Sequence, residues 1–171
     1  MPVLKLTTVI HAPIERVFDL SRSINLHAVS MSHHGEKAIG GTTSGLMGLD
    51  QSVTWRAQHF GIWLELTSRM TLFERPRYFR DSHVKGIFKR FDHDHNFKLC
   101  DDIIQMTDVF DYTSPLGILG KMADRLFLAQ YMRRLLEERN AIIKTVAESE
   151  QWQRFVPASV SYCPQPVLKS V

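Results

Sequence analysis

His93 and His95 stand two residues apart in KGIFKRFDHDHNFKLCDDIIQMTDVFDY, residues 85–112. On a β-strand that spacing puts both imidazoles on one face, where Phe91 and Phe97 flank them. Histidine titrates near neutrality, and an adjacent carboxylate can orient it and stabilise its cation. Asp81 and Asp108 are the carboxylates that neighbouring strands could bring, and His59 is a third imidazole on an inward face. Three chemistries follow from these residue types. The group can be a polar spot that orients a bound molecule, with the imidazoles hydrogen-bonded to neighbours or water. It can be an acid–base pair, His93 or His95 beside Asp81 or Asp108, suited to proton transfer in a dry pocket. It can also be two nitrogen ligands of a metal. That last reading needs a third ligand and supporting contacts behind the ligands. Asp81, Asp108 or His59 could supply the ligand, but alternation does not choose between them, so no metal and no cofactor are assigned.

The elements that must position this group follow from periodicity. Residues 3–10 alternate as a first strand. Pro13 suits the first turn of a helix over 13–20, and Ser23 can cap a second short helix. Residues 30–48 are rich in Gly, Ser, His and Thr, around a weak strand at 36–39. Residues 51–60 put Val53, Trp55, Ala57 and His59 on one face. Residues 62–74 put Ile62, Leu64, Leu66, Ser68, Met70 and Leu72 inward and polar residues outward. Pro76 ends that strand, and 78–84, with Phe79 and Asp81, form another. Over 87–99 the odd positions, from Ile87 through Phe91, His93, His95 and Phe97 to Leu99, are the buried face. Asp101 and Asp102 make the turn into a last strand whose inner face is Ile104, Met106, Asp108, Phe110 and Tyr112. Residues 116–148 read as one long helix, with Leu126 and Phe127 inward and Arg133, Arg134, Glu137, Glu138 and Arg139 toward solvent. Residues 150–171 read as an irregular tail, with Trp152, Phe155 and Tyr162 free to pack on the domain or meet a partner.

A chain of 171 residues and 19.7 kDa, 44% hydrophobic and 23% charged, fits one domain with its own core. The net charge of +3 is scattered along the chain, so no nucleic-acid footprint is expected. No signal peptide or membrane-length apolar run is evident. Cys100 and Cys163 are far apart, which favours reduced thiols and a cytoplasmic protein. Cys100 has no basic neighbour to activate it. His27, His33 and His34 form a loop cluster that could bind metal but reads more simply as exposed polar histidines. A sheet of about seven strands with one apolar face needs cover. A long terminal helix laid across its curve would leave space between the two.

Four segments, APIERVFDL, VTWRAQHFGIWLELTSRMTLFERPRYFRD, GIFKRFDHDHNF and TDVFDYTSPLGILGKMADRLF, in that order, resemble the SRPBCC superfamily (START-like, birch-pollen-allergen-like). The resemblance is to its bacterial polyketide cyclase/dehydrase-like or ligand-binding members. It implies an α+β helix-grip fold over residues 1–149, a curved antiparallel sheet around the long helix, with the tail at 150–171 outside. It also implies a cavity for a hydrophobic or amphipathic small molecule. That cavity would be lined by Trp55, His59, Leu66, Met70, Phe79 and Asp81 from the earlier strands. Phe91, His93, His95, Phe97, Met106, Asp108, Phe110 and Tyr112 would line it from the last pair, and Leu126 and Phe127 from the helix. The superfamily has no common catalytic set, so no catalytic residue is assigned; His93, His95, Asp108 and Asp81 are the candidates should the chain be an enzyme. Two other readings stay open: a cyclase, aromatase or dehydratase using the cavity His and Asp groups, and a co-chaperone-like protein-binding module. A homodimer is compatible with either.

Overall fold

The computed structural model describes residues 2–114 and 127–157. Strand β1 (Val3–Ile10) leads into helices α1 (Ile14–Ser21) and α2 (Ile24–Ser30) and a 3-10 turn (Ser32–His34). Strands β2 (Lys37–Gly41), β3 (Ser52–His59), β4 (Ile62–Glu74), β5 (Tyr78–Gly86), β6 (Arg90–Cys100) and β7 (Ile103–Thr113) follow. Helix α3 (Ala129–Ala147) and a second 3-10 turn (Glu150–Arg154) complete the order. The seven strands form one antiparallel sheet in the order β1-β7-β6-β5-β4-β3-β2. From β2 onward each strand pairs with the next. The chain then returns to β1, whose residues from Val3 to Ile10 pair with Asp111 back to Ile104. This is the expected α+β helix-grip architecture: α1, α2 and α3 cover the inner face of a curved sheet.

Local chemistry explains the elements. Pro13 precedes the first residue of α1, where its missing N–H costs nothing. Ser23 caps α2, its hydroxyl oxygen accepting from Leu26 N–H at 3.4 Å and its O–H donating to Phe155 O at 3.2 Å. Ser23→Ala loses both contacts, so a loss of about 1 kcal/mol is expected in urea denaturation.

Phe18 of α1 meets Phe73, Phe79 and Phe97 edge-on at 5.3–5.4 Å. It centres the larger apolar cluster, which also takes in Ile104, Met106, Ile143 and Val146. A second cluster holds Leu4, Leu6, Phe88, Phe91, Phe110, Tyr112 and Leu136.

Several expectations differ from the structure in register. A bulge between Met70 and Leu72 flips the end of β4, so Phe73 packs inward while Leu72 is 45% exposed. Ile62 and Leu99, both expected inside, lie at hairpin ends and are exposed. Residues 87–89 lie outside the strand, and Phe88 rather than Ile87 is buried. Arg139, expected on the solvent side of the helix, is 6% exposed. Ion pairs along the outer helix surface are Arg133–Glu137 at 3.9 Å and Lys144–Glu148 at 2.9 Å, while Glu138 pairs with His33. Residues 115–126, which include the first part of the expected helix and Leu126, lie outside the described residues, as do Tyr162 and Cys163. Part of the segment read as tail joins the core. Trp152 and Phe155 pack against the larger cluster, and Val156 is 4% exposed.

A candidate site in a polar layer across the core

The two apolar clusters are separated by a layer of polar side chains drawn from four elements. Along β6 the inward positions run Phe91, His93, His95, Phe97, and along β7 they run Tyr112, Phe110, Asp108, Met106. Antiparallel pairing sets His95 opposite Asp108, and His93 and His95 opposite Asp81 and Phe79 of β5. Alternation aims these side chains to the same side as Arg139 and Asn140 of α3, which lie between Leu136 and Ile143 on the helix's inner face.

Asp108, fully buried, is the hub. His93 Nε2 lies 3.0 Å from Asp108 Oδ1, and Asn140 Nδ2 donates to Asp108 Oδ2 at 2.7 Å. Donation to a carboxylate requires the His93 proton on Nε2. His95 Nδ1 is 2.9 Å from Asp108 Oδ1 and its Nε2 is 3.5 Å from Asp81 Oδ2. At 2.9 Å Nδ1 is misaligned for a hydrogen bond to Asp108, and at 3.5 Å Nε2 is at the limit of reach of Asp81, so His95 has ion-pair distances but no hydrogen bond. Asp81 Oδ1 also has no hydrogen-bond partner. Arg139 donates to Ser21 O at 2.8 Å and stands 3.6 Å from Asp108 Oδ1. The imidazoles lie 3.9 Å apart between centroids, and Phe79 stacks on His95 at 4.2 Å.

Burial and charge act in opposite directions here. Burial, reinforced by the charge of His95, pulls His93 down to about 4, so it is neutral at pH 7. Burial also disfavours the His95 cation, but the Asp108 and Asp81 carboxylates outweigh it and raise its pKa. Burial alone would push Asp108 up; its histidine neighbours reverse this and hold it well below the usual carboxylate range. Asp81 is lowered in the same way, His95 outweighing burial.

The layer closes one end of a cavity of about 220 Å³ between sheet and α3. Its walls are mainly apolar, with Trp55, Leu66, Met70, Phe79, Phe91 and Phe110 among the expected residues that line it. His93, His95, Asp81 and Arg139 form one polar patch on it, and His27, Glu36, His59 and Tyr131 form another. Asp108 lies behind the histidines, and Phe97, Met106 and Tyr112 belong to the apolar clusters outside the lining. Phe127 is 50% exposed and meets Phe60 edge-on at 5.9 Å.

His59 is not brought to His93 and His95. It sits on the cavity wall at the β3–β4 hairpin, its Nδ1 2.7 Å from Tyr131 Oη. Tyr131 and Arg139 are eight residues apart on α3, about 12 Å along its axis. The same region holds His34, tilted against His59 at 5.2 Å between ring centroids, and His27, 3.3 Å from Glu36. Sequence reasoning missed Glu36, Tyr131, Arg139 and Asn140. The last two were legible in principle, because they fall three and four residues after Leu136.

This second group makes stability depend on pH. Burial and the charge of His34 lower His59 from 6.5. Burial would raise Glu36, but His27, His59 and His34 outweigh it and lower it from 4.5. The folded state therefore binds fewer protons than the unfolded chain on the acid side, and stability falls as pH drops below about 6.5. In urea denaturation at pH 7 and pH 5, the difference is expected to shrink in His59→Gln. An undiminished difference would remove His59 as a source. His33 and Glu138, 3.0 Å apart on the 3-10 turn and α3, remain in both proteins.

Among the described residues, two sets could hold a metal: His33, His34 and Glu138, exposed, and His93, His95 and Asp108, buried. No helix among the described residues is long and apolar enough to cross a membrane.

The fold and this cavity define a helix-grip protein, and solved structures of that fold superpose over most of the chain. The Thermus thermophilus protein TTHA0849 matches with a TM-score of 0.67 at 16% identity, over 85% of this chain and 99% of that one. Major latex-like protein 151 from Panax ginseng matches with a TM-score of 0.64 at 12% identity, over 86% and 98%. The di-domain ARO/CYC StfQ from the steffimycin biosynthetic pathway matches with a TM-score of 0.67 at 10% identity, over 85% of this chain and 50% of that one. At such identities the likeness is one of fold. No protein-family model and no curated protein matches the sequence.

Proposed function

We propose that the chain binds a small hydrophobic or amphipathic molecule between sheet and helix, its polar group held by His93, His95 and Asp81. The observation that carries this reading is the cavity itself: about 220 Å³, mainly apolar on its walls, with a few polar groups converging on it, His93, His95, Asp81 and Arg139 among them. Small-molecule sites combine these two features. The cost of the polar layer supports the reading too. Well-packed apolar residues in place of buried ion pairs are often neutral or stabilising, so stability does not account for the layer. Asp81 Oδ1 and the His95 nitrogens, which have no hydrogen bond within the protein, are groups that a ligand hydroxyl or carbonyl can satisfy.

A second reading draws on one contact. His93 faces the cavity and touches Asp108 at 3.0 Å, the arrangement a proton-transfer pair needs, as in a cyclase or dehydratase. Native mass spectrometry of the full chain, fresh from expression and after incubation with fatty acids and phenolic polyketide mimics, tests the leading reading. A 1:1 complex lost on filling the cavity is expected. No complex with any compound, from a protein that is folded by circular dichroism, removes it. Turnover of a bound compound, abolished in His93→Gln, would move the conclusion to the second reading.

A further inference from the structure

We propose that His93 Nε2, His95 Nδ1 and Asp108 Oδ1 bind one first-row divalent transition-metal ion of the Zn²⁺ type at the end of the cavity that the polar layer closes. The geometry comes first. The three ligand atoms lie within 4.8 Å of one another, and both nitrogens approach the same carboxylate oxygen, at 3.0 and 2.9 Å. Ligands about 2.0–2.2 Å from one ion lie at comparable mutual distances.

His95 supplies the second observation. It is 1% exposed, and at 2.9 Å from Asp108 its Nδ1 does not aim its N–H at the oxygen. A hydrogen bond wants nitrogen, hydrogen and oxygen in line. Coordination wants nitrogen and oxygen both turned toward a third point, and a buried nitrogen beside a carboxylate with no hydrogen bond of its own is left open to it.

The back of Asp108 is held as a metal ligand's is: Asn140 Nδ2 donates to its other oxygen at 2.7 Å. Amide–carboxylate contacts of this kind orient the groups that touch a metal. The other nitrogen of His95 stands 3.5 Å from Asp81, an anion beside the site rather than a hydrogen-bond partner.

Charge is compatible with a cation. Asp81 and Asp108 are two anions against the single cation Arg139, whose guanidinium is anchored on Ser21 O and stands 3.6 Å from Asp108. With both imidazoles neutral, the layer keeps one net negative charge. On binding, His93 shifts its proton from Nε2 to Nδ1 and offers the freed lone pair. Two imidazoles and one carboxylate favour Zn²⁺, Co²⁺ or Fe²⁺ over Mg²⁺ or Ca²⁺, which prefer all-oxygen shells. Three protein ligands beside a cavity leave a coordination position for water or a ligand oxygen.

Titration of Co²⁺ into the chelator-treated full chain tests this. One equivalent is expected to bind with visible d–d absorption. Affinity should fall by more than about 100-fold in His93→Gln and about 10- to 100-fold in Asn140→Ala. It should be unchanged in a His33→Ala/His34→Ala double variant. Loss of binding in the double variant, with retention in His93→Gln, would assign the ion to the exposed set and overturn the proposal. No binding by the folded wild type would also overturn it, leaving a proton-bridged network. Should His93→Gln not fold, X-ray absorption on the Zn²⁺-loaded double variant decides. Two imidazoles and a carboxylate oxygen support the site; fewer imidazoles overturn it.

Discussion

Asp108→Ala is expected to lower the unfolding free energy by about 3–5 kcal/mol, the cost of removing one partner from a buried charge network. For a chain of this size that is a fall in Tm of about 6–20 °C. The effect is large because Asp108 is the hub. Its removal leaves the Asn140 amide and the His93 N–H without their acceptor, and His95 and Arg139 without their nearest anion. The exposed Arg133–Glu137 pair at 3.9 Å, by contrast, is worth about 0.2–1 kcal/mol at most. The pH dependence carries the same signature. Histidine contacts outweigh burial and hold Asp108 well below its ordinary 3.8. Stability from its ionised form is therefore present above that value and lost as pH falls beneath it. Denaturant titrations from pH 7 down to pH 3 should show this acid loss in the wild type and a smaller one in the variant. A change at pH 7 below about 1 kcal/mol would mean that Asp108 is not the hub described.

Ala57→Phe is expected to abolish ligand uptake while leaving the fold intact. Ala57 lies on β3, is 4% exposed and lines the cavity wall beside Trp55. A phenyl ring built there enters the open space of about 220 Å³ rather than packed atoms, so the usual overpacking cost of about 1–3 kcal/mol is largely avoided. Filling a void can even stabilise. An unchanged or raised Tm together with a loss of ligand affinity of at least about 100-fold, read by native mass spectrometry or fluorescent-probe displacement, is the expected pair of results. Undiminished binding in a folded variant would place the ligand elsewhere.

Much of this architecture was legible in the chain because strands have a period of two. The inward positions of β6 and β7, the polar turn at Asp101 and Asp102, and the flanking of His93 and His95 by Phe91 and Phe97 follow from alternation alone. Alternation fails where the ladder slips: the bulge after Met70 turns Phe73 in and Leu72 out, and nothing in the residue types of that segment announces it. Arg139 was misread for another reason. A charged residue on a helix is ordinarily solvated, and partners across the core, the Asp108 carboxylate on β7 and the Ser21 carbonyl, make its burial tolerable.

Residue order was enough for the helix-grip layout, the inward face of each strand away from bulges and hairpin ends, and the short list of groups able to do chemistry, His59, Asp81, His93, His95 and Asp108. Which of these meet was settled by packing in three dimensions. Packing gathered Asp81, His93, His95 and Asp108 with Arg139 and Asn140 into one layer and left His59 with Tyr131. Periodicity records only the direction of a side chain relative to its own element. Register between strands, and the height at which a helix crosses them, are properties of pairs of elements, fixed only when the apolar clusters on either side of that layer pack.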